Sequence, residues 1–128
     1  MILLDTCALL WLAIEPAKLS VAARRLLESR TGLCYVSAIS AFEIAQKHAR
    51  GKLELALPPN LWFERACLAH DLTPLPLSPV HAFVAGLLPD HHRDPFDRLL
   101  IATAQVQNLT LLTSDPLIHL YAEAKTVW

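Results

Sequence analysis

The sequence predicts an α/β fold, a three-layer sandwich in which helices cover both faces of a mostly parallel sheet of about four to five strands. Short apolar segments, too brief for helices, alternate with longer segments of helical periodicity. Most apolar segments lead through polar residues into a helical pattern, which is the order of β-α-β crossovers. The chain has 128 residues, of which 54% are hydrophobic, and we expect residues 1–128 to form one domain.

The strands are predicted from the apolar segments in chain order. The segments at 1–4, 33–36 and 109–113 are clear, whereas 73–77 contains two prolines and 126–128 lies at the end of the sequence. The segments between them have helical periodicity, and Gly51 marks a helix end. The predicted helices are 6–13, 20–29, 38–50, 61–70, 79–88, 95–107 and 116–123.

Composition and charge exclude several classes of protein. The net charge is −1, from 11 basic and 12 acidic residues, so no global positive field indicates nucleic-acid binding. No apolar run is long enough to span a membrane, and the first residues lack the features of a secretory signal. Three scattered cysteines are typical of reduced thiols. We therefore expect a cytoplasmic protein without membrane contact.

Four carboxylates are predicted to meet at one edge of the sheet. Asp5 directly follows the first strand, and Asp115 closely follows a later one. Glu43 lies one turn into an otherwise apolar helix that starts at the carboxyl end of the second strand. Asp97 lies in the first turn of the helix that opens at Pro95. Ligands of parallel sheets bind beyond the carboxyl ends of the strands, so these side chains could share one pocket.

Such a cluster is costly without cations, because neighbouring carboxylates raise one another's pKa. An all-oxygen ligand set selects a hard ion, Mg²⁺ with Mn²⁺ as a substitute, and one or two such ions can promote phosphodiester hydrolysis. Each acid also has a purely structural interpretation. Asp5 and Asp115 can cap helices, and Asp97 can complete a capping box begun by Asp94. Glu43 can pair with Lys47 on a solvent-facing side of its helix.

Other kinds of site have weaker support. The run from Asp90 to Asp94 contains His91 and His92, but adjacent loop residues rarely present all their donors to one zinc ion. No nucleophile-elbow motif and no glycine-rich nucleotide-binding motif occurs. A phosphoacceptor domain would need an acidic pair at the first strand and a lysine after a late strand, and both are missing.

Four stretches stand out by their order and spacing: MILLDT with LLW (1–6, 9–11), VSAISAFEIA with GKL (36–45, 51–53), HRDPFDRLLIA (92–102) and LLTSD (111–115). Together they resemble the successive motifs of the PIN domain family, in the form of the VapC-like toxins of bacterial toxin–antitoxin pairs. The resemblance covers nearly the whole chain. Cys7 and Phe42 depart from it, since close relatives often have His and Trp there, but neither departure removes a carboxylate.

The resemblance implies a PIN-like sandwich and a metal-dependent endoribonuclease in which a metal-activated water cleaves RNA. The residues that match the family's catalytic and metal-binding acids are Asp5, Glu43, Asp97 and, less uniformly, Asp115. Thr6 and Ser114 match supporting hydroxyl positions. A local patch for RNA phosphates, or alternatively a set of solvated helix ends, is formed by Lys47, Arg50, Lys52, Arg93 and Arg98.

The resemblance also implies partners. A small VapB-like antitoxin is expected to neutralise the toxin, DNA is contacted only through the antitoxin, and two toxin subunits are expected to form a homodimer. A groove or dimer interface could involve the apolar positions of residues 20–29 together with Leu9, Leu10, Trp11, Leu12 and Ile14, which could equally be core. The alternative function is a catalytically inactive PIN-like module that only binds other proteins.

Overall fold

The computed structural model describes residues 1–29 and 32–128. At its centre lies a sheet of five strands in the order β3-β2-β1-β4-β5. All four neighbouring pairs are parallel, which confirms the predicted fold class. The strands are β1 (Ile2–Leu4), β2 (Cys34–Ser37), β3 (Leu72–Leu75), β4 (Thr110–Leu112) and β5 (Lys125–Val127).

Six α-helices connect and cover these strands. Side chains that accept backbone amides begin α1, α2, α3 and α6, and proline stands in the first turn of α4, α5 and α6. None of the helices in the described ranges has the length and apolarity needed to cross a bilayer. The helices are α1 (Thr6–Ile14), α2 (Val21–Glu28), α3 (Ala38–Ala49), α4 (Pro59–Ala69), α5 (Pro79–Leu87) and α6 (Pro95–Gln107).

The sheet separates two hydrophobic cores. Ile2 and Leu4 of β1 belong to the core that α1, α2 and α4 cover, whereas Leu3 belongs to the core that α5 and α6 cover. This alternation follows from the pleat of the strand, which directs successive side chains to opposite faces. Because both faces are covered, the central strands are apolar on both sides, as in other parallel sheets. The architecture is therefore the predicted three-layer sandwich.

The edge strands explain why two segments were harder to predict. β3 contains Pro74, and it is tolerated because β3 pairs with β2 alone at one edge of the sheet. β5 occupies the other edge, where three residues pair with β4. Both weak strand predictions are confirmed.

The helix predicted over residues 116–123 is wrong. The structure has only a 3₁₀ turn there, Ile118–Leu120, because the chain leaves β4 at Leu112 and must return to the sheet by Lys125. The ring of His119 holds this turn, with Nε2 2.8 Å from the Thr113 carbonyl and Nδ1 2.7 Å from the Thr126 hydroxyl. A second 3₁₀ turn, Pro16–Lys18, links α1 to α2.

Candidate metal centre

The candidate site lies at the point where the chain changes the side of β1 on which it adds strands to the sheet. From β1 the chain first adds β2 and β3 on one side and then β4 and β5 on the other. Ligands of open α/β sheets bind at the carboxyl ends of the strands that flank such a switch point. Leu4 pairs with both Val36 and Leu112, and the Asp5 amide donates to the Leu112 carbonyl at 3.0 Å. This register brings the residues after β1, β2 and β4 to one edge.

Asp5 serves both of its predicted roles, as a helix cap and as a member of the acidic pocket. Its Oδ1 accepts the Ala8 amide at 2.7 Å and so begins α1. The pKa of the Asp5 carboxyl is raised to about 6: burial is the largest cause, the charges of Glu43 and Asp115 also raise it, and hydrogen bonds from Thr113 and the Ala8 amide lower it. Capping and clustering are compatible because a carboxylate has two oxygens.

Glu43 faces the pocket from α3. Thr6 Oγ1 donates to Glu43 Oε1 at 2.7 Å, and the Thr6 and Ser40 hydroxyls are 3.0 Å apart. Burial raises the pKa of the Glu43 carboxyl, while the Thr6 hydroxyl and the Lys47 ammonium lower it. Thr6, which is predicted as a supporting hydroxyl, thus contacts Glu43. Lys47 lies close enough to lower the pKa of Glu43, although no ion pair within 4 Å joins the two side chains in the described ranges.

Asp97 is not the capping-box partner of Asp94. Asp94 alone caps α6, accepting the Phe96 amide at 2.9 Å, and its own amide donates to Nδ1 of His92 at 3.2 Å. The Asp97 carboxylate instead approaches His92 Nε2, at 2.9 Å. The pKa of Asp97 is raised to about 7: burial is the largest cause, the charges of Asp94, Glu43 and Asp115 also raise it, and His92 lowers it.

Asp115 completes the set of four acids. Its Oδ2 lies 3.0 Å from His92 Nε2, and its Oδ1 accepts the Leu117 amide at 2.9 Å. Thr113 Oγ1, fully buried, accepts the Asp115 amide at 3.1 Å and also bonds to Asp5. Asp5 and Asp97 each interact electrostatically with both Glu43 and Asp115, so the structure brings the four predicted carboxylates to one region. Ser114, the other predicted supporting hydroxyl, makes no hydrogen bond within the described ranges.

Sequence reasoning missed His92 and Thr113. The zinc interpretation predicts partners for His92 within its own loop, yet its partners come from α6 and from the segment after β4. His91 points elsewhere and contacts the Tyr121 ring edge-on at 5.0 Å. The signal for Thr113 was its position directly after a strand, next to Ser114 and Asp115, where polar side chains face the pocket.

The donor set fits a divalent cation. A carboxylate oxygen of Asp97 and one of Asp115 lie within 4.8 Å of each other and of a ring nitrogen of His92. Carboxylate oxygens dominate the pocket, which suits a hard ion such as Mg²⁺ or Mn²⁺. The raised pKa values of Asp5 and Asp97 show that negative charge there lacks compensation from the protein. A bound cation would supply that compensation.

The predicted basic patch divides into two groups. The guanidinium of Arg98 forms hydrogen bonds within the protein, and its side chain is 12% exposed. It donates at 2.8–3.2 Å to the carbonyls of Ala85, Leu88, Pro89 and His92. Its donors are therefore occupied within the protein. Arg50, Lys52 and Arg93 are exposed, and Lys47 is partly buried beside Glu43.

The residues predicted to form a groove or an interface include both core residues and residues that line a cavity. Leu9 is fully buried in the core, and Trp11 packs on Trp128 with ring centroids 5.3 Å apart. Leu12 and Leu27 instead line an open cavity of about 590 Å³ between α1, α2 and the end of α4. Ile14 is 46% exposed. An apolar cavity is therefore present where α1 and α2 face each other.

The chain is similar to proteins of one family. Residues 2–123 match the PIN domain. The chain is 35% identical over 130 residues to "Ribonuclease VapC22" of Mycobacterium tuberculosis, covering 99% of this chain and 98% of that protein.

Two solved structures have the same fold. The first is VapBC2 from Rickettsia felis bound to a DNA fragment from their promoter, with TM-score 0.74, 16% identity and coverage of 99% of this chain and 98% of that one. The second is a toxin–antitoxin complex from Klebsiella pneumoniae, with TM-score 0.67, 19% identity and coverage of 100% and 97%.

Proposed function

The chain belongs to the PIN domain family, and we propose that it is a metal-dependent endoribonuclease of the VapC type, the toxin of a toxin–antitoxin pair. The observation that carries this proposal is the convergence of Asp5, Glu43, Asp97 and Asp115 at the switch point of the sheet. The relative from Mycobacterium tuberculosis is named a ribonuclease and aligns over nearly the whole of both chains. Fold, site and relative therefore support the same activity.

The proposed metal ligands are the four carboxylates, which would hold one or two Mg²⁺ or Mn²⁺ ions. When bound, such an ion lowers the pKa of a coordinated water and polarises a phosphate oxygen. The chain's own residues prepare the pocket. Thr6 orients Glu43, Thr113 connects Asp5 with the Asp115 backbone, and α1 fixes Asp5 through the Ala8 amide. No side-chain nucleophile is required.

Lys47, Arg50, Lys52 and Arg93 are proposed to contact the RNA backbone. They lie on α3, on the turn after it and beside His92, so they flank two of the acidic residues in sequence. Phosphate contacts would position the strand without selecting its sequence. Arg98 is left out of this set because its donors are occupied.

A VapB-like antitoxin is the proposed partner, since solved structures of the same fold are toxin–antitoxin complexes. The cavity lined by Leu12 and Leu27 supports a helical or extended apolar segment as the bound element. DNA contact would occur only through the antitoxin, and the complex is expected in the cytoplasm.

Homodimerisation is supported by an exposed apolar stripe on α5, which consists of Val80, Phe83 and Leu87.

The test is cleavage of a structured RNA pool by the purified chain without antitoxin. We expect cleavage with Mg²⁺ or Mn²⁺, none with EDTA, and none by Asp5→Asn. Glu64→Gln, which removes an exposed carboxylate on α4, serves as the matched control and should cleave normally. Cleavage by Asp5→Asn or in EDTA would contradict the proposal. A folded protein that neither cleaves RNA nor binds Mn²⁺ would instead be an inactive interaction module.

A further inference from the structure

The loop between α5 and α6 holds the His92 backbone firmly. The His92 amide donates to the Tyr121 hydroxyl at 2.8 Å, and that hydroxyl donates to the Pro89 carbonyl, also at 2.8 Å. The His92 carbonyl accepts Arg98 Nη1 at 3.2 Å. Tyr121 is buried, and Arg98 is fixed by three further carbonyls. Both backbone polar groups of His92 are thus tied to the body of the protein.

The contacts of the ring determine which nitrogen carries the proton. Nδ1 lies 3.2 Å from the Asp94 amide nitrogen, and a backbone amide can only donate. Nδ1 must therefore accept, so the proton of the neutral ring resides on Nε2. The Nε2–H group faces Asp97 Oδ2 at 2.9 Å and Asp115 Oδ2 at 3.0 Å. One donor is shared by two carboxylates that would otherwise repel each other.

We propose that His92 is a positioning residue of the metal centre, whose Nε2–H holds the Asp97 and Asp115 carboxylates in the arrangement that a divalent ion requires. This inference rests on the proposed function. Direct ligation by His92 is disfavoured because Nε2 would have to lose its proton to Nδ1, which would then place two donors, Nδ1–H and the Asp94 amide, against each other. Metal-binding carboxylates are commonly oriented by such hydrogen bonds from outside the ligand set.

The proton position is tested without metal. In the ¹⁵N-histidine-labelled protein at pH 8, NMR should show His92 as the Nε2–H tautomer, identified by the signals that disappear in His92→Gln. A Nδ1–H tautomer would overturn the proposal. This measurement does not depend on nuclease activity.

Metal affinity is tested with Mn²⁺ alone, titrated by electron paramagnetic resonance. His92→Leu should bind Mn²⁺ about 10–100-fold more weakly, as loss of an orienting partner typically does. His92→Gln can place an amide donor near the position of Nε2 and should recover most of the affinity, whereas the shorter His92→Asn should not. His91→Gln, next in the loop but pointing at Tyr121, should bind as the unmodified protein does.

Each outcome has a distinct meaning. If the unmodified protein, His92→Leu and His92→Asn bind Mn²⁺ with equal affinity, the positioning role is refuted and the nuclease proposal stays intact. Directly bonded ¹⁴N in the echo-modulation spectrum of the Mn²⁺ complex, lost in His92→Gln, would show a ligand and also refute it. Unmodified protein that binds no Mn²⁺ would refute the proposed function itself.

Discussion

The Asp5 carboxyl illustrates how one residue contributes to the site at a cost to stability. Oδ1 caps α1 through the Ala8 amide, while burial and the neighbouring charges of Glu43 and Asp115 raise its pKa to about 6. Because the ordinary pKa of aspartate is near 4, the folded protein retains a proton that the unfolded chain has already lost over this pH range. Ionised Asp5 therefore destabilises the metal-free fold.

We predict that Asp5→Asn stabilises the metal-free protein at pH 7. The free energy of unfolding of the unmodified protein falls as pH rises from about 4 to about 6, because the folded state binds more protons there. Asparagine caps a helix as well as aspartate and has no charge, so the variant should gain about 1–3 kcal/mol at pH 7. Urea unfolding at several pH values measures this gain.

The gain should shrink as pH falls and approach zero below about pH 3, where the unmodified carboxyl is protonated in both states. Asp5→Ala removes the cap together with the charge and should be less stable than Asp5→Asn. A gain that does not depend on pH would contradict the assignment of the effect to carboxyl ionisation.

We also predict that metal binding releases protons. At pH 6.5 the pKa values of about 6 and about 7 leave Asp5 roughly one-quarter and Asp97 roughly three-quarters protonated, and a bound cation must displace these protons. Mn²⁺ affinity should rise between about pH 5.5 and pH 8 and then level off. Calorimetry in buffers of different ionisation enthalpy should count about one proton released at pH 6.5 and close to none at pH 8.

Glu64→Gln, which changes a carboxyl outside the pocket, should release the same number of protons as the unmodified protein. An affinity independent of pH over this range would show that the carboxylates are already ionised before the metal binds.

At the scale of elements, the start of each helix matters more for the site than its full length. Asp5 and Asp94 cap α1 and α6 by accepting amides of the first helical turns, and these turns lie beside the acidic pocket. These positions were predictable because a carboxylate after a buried strand reaches the carboxyl edge of a parallel sheet. The approach of His92 to Asp115 was not predictable, because it depends on how the loop before α6 folds over the segment after β4. The helix expected at 116–123 is absent for a different reason, because the chain leaves β4 at Leu112 and must return to the sheet by Lys125.

Arg98 supplies the element-scale prediction. Its guanidinium satisfies carbonyls at the end of α5 and in the following loop, among them those of Ala85 and Leu88, both at 2.8 Å. Arg98→Met keeps the aliphatic stem but leaves these partly buried acceptors unpaired, so it should lower the free energy of unfolding by about 3 kcal/mol. Arg24→Met is the control, since Arg24 makes one exposed bond to a carbonyl and should cost less than about 0.5 kcal/mol. Equal urea midpoints for the two variants would contradict this role.

At the scale of the whole molecule, the sheet places the site at a position that both cores support. β1 is flanked by strands on both sides and covered on both faces, so Asp5 extends from the central strand of the sheet. The alternation of apolar and helical segments predicts this layout, because only a parallel sheet with helices on both faces buries every apolar segment.

The net charge of −1 gives the last prediction, which concerns the salt dependence of RNA binding. An acidic pocket on a nearly neutral protein gains little from long-range attraction, so binding must depend on a few local cations. Each phosphate neutralised on a single strand contributes about −0.7 to the slope of log affinity against log salt, so the four proposed contacts predict a slope no steeper than about −3.

The measurement uses Asp5→Asn, which should bind labelled RNA without cutting it. Changing Arg93 to Gln should reduce the magnitude of the slope by about 0.7, as should Lys52→Gln. Arg25→Gln should leave it unchanged, because the adjacent Leu26 lines a cavity with Met1 and Leu33 at the opposite edge of the sheet. A steeper slope that the Arg93 and Lys52 variants leave unaltered would place the RNA on a different surface.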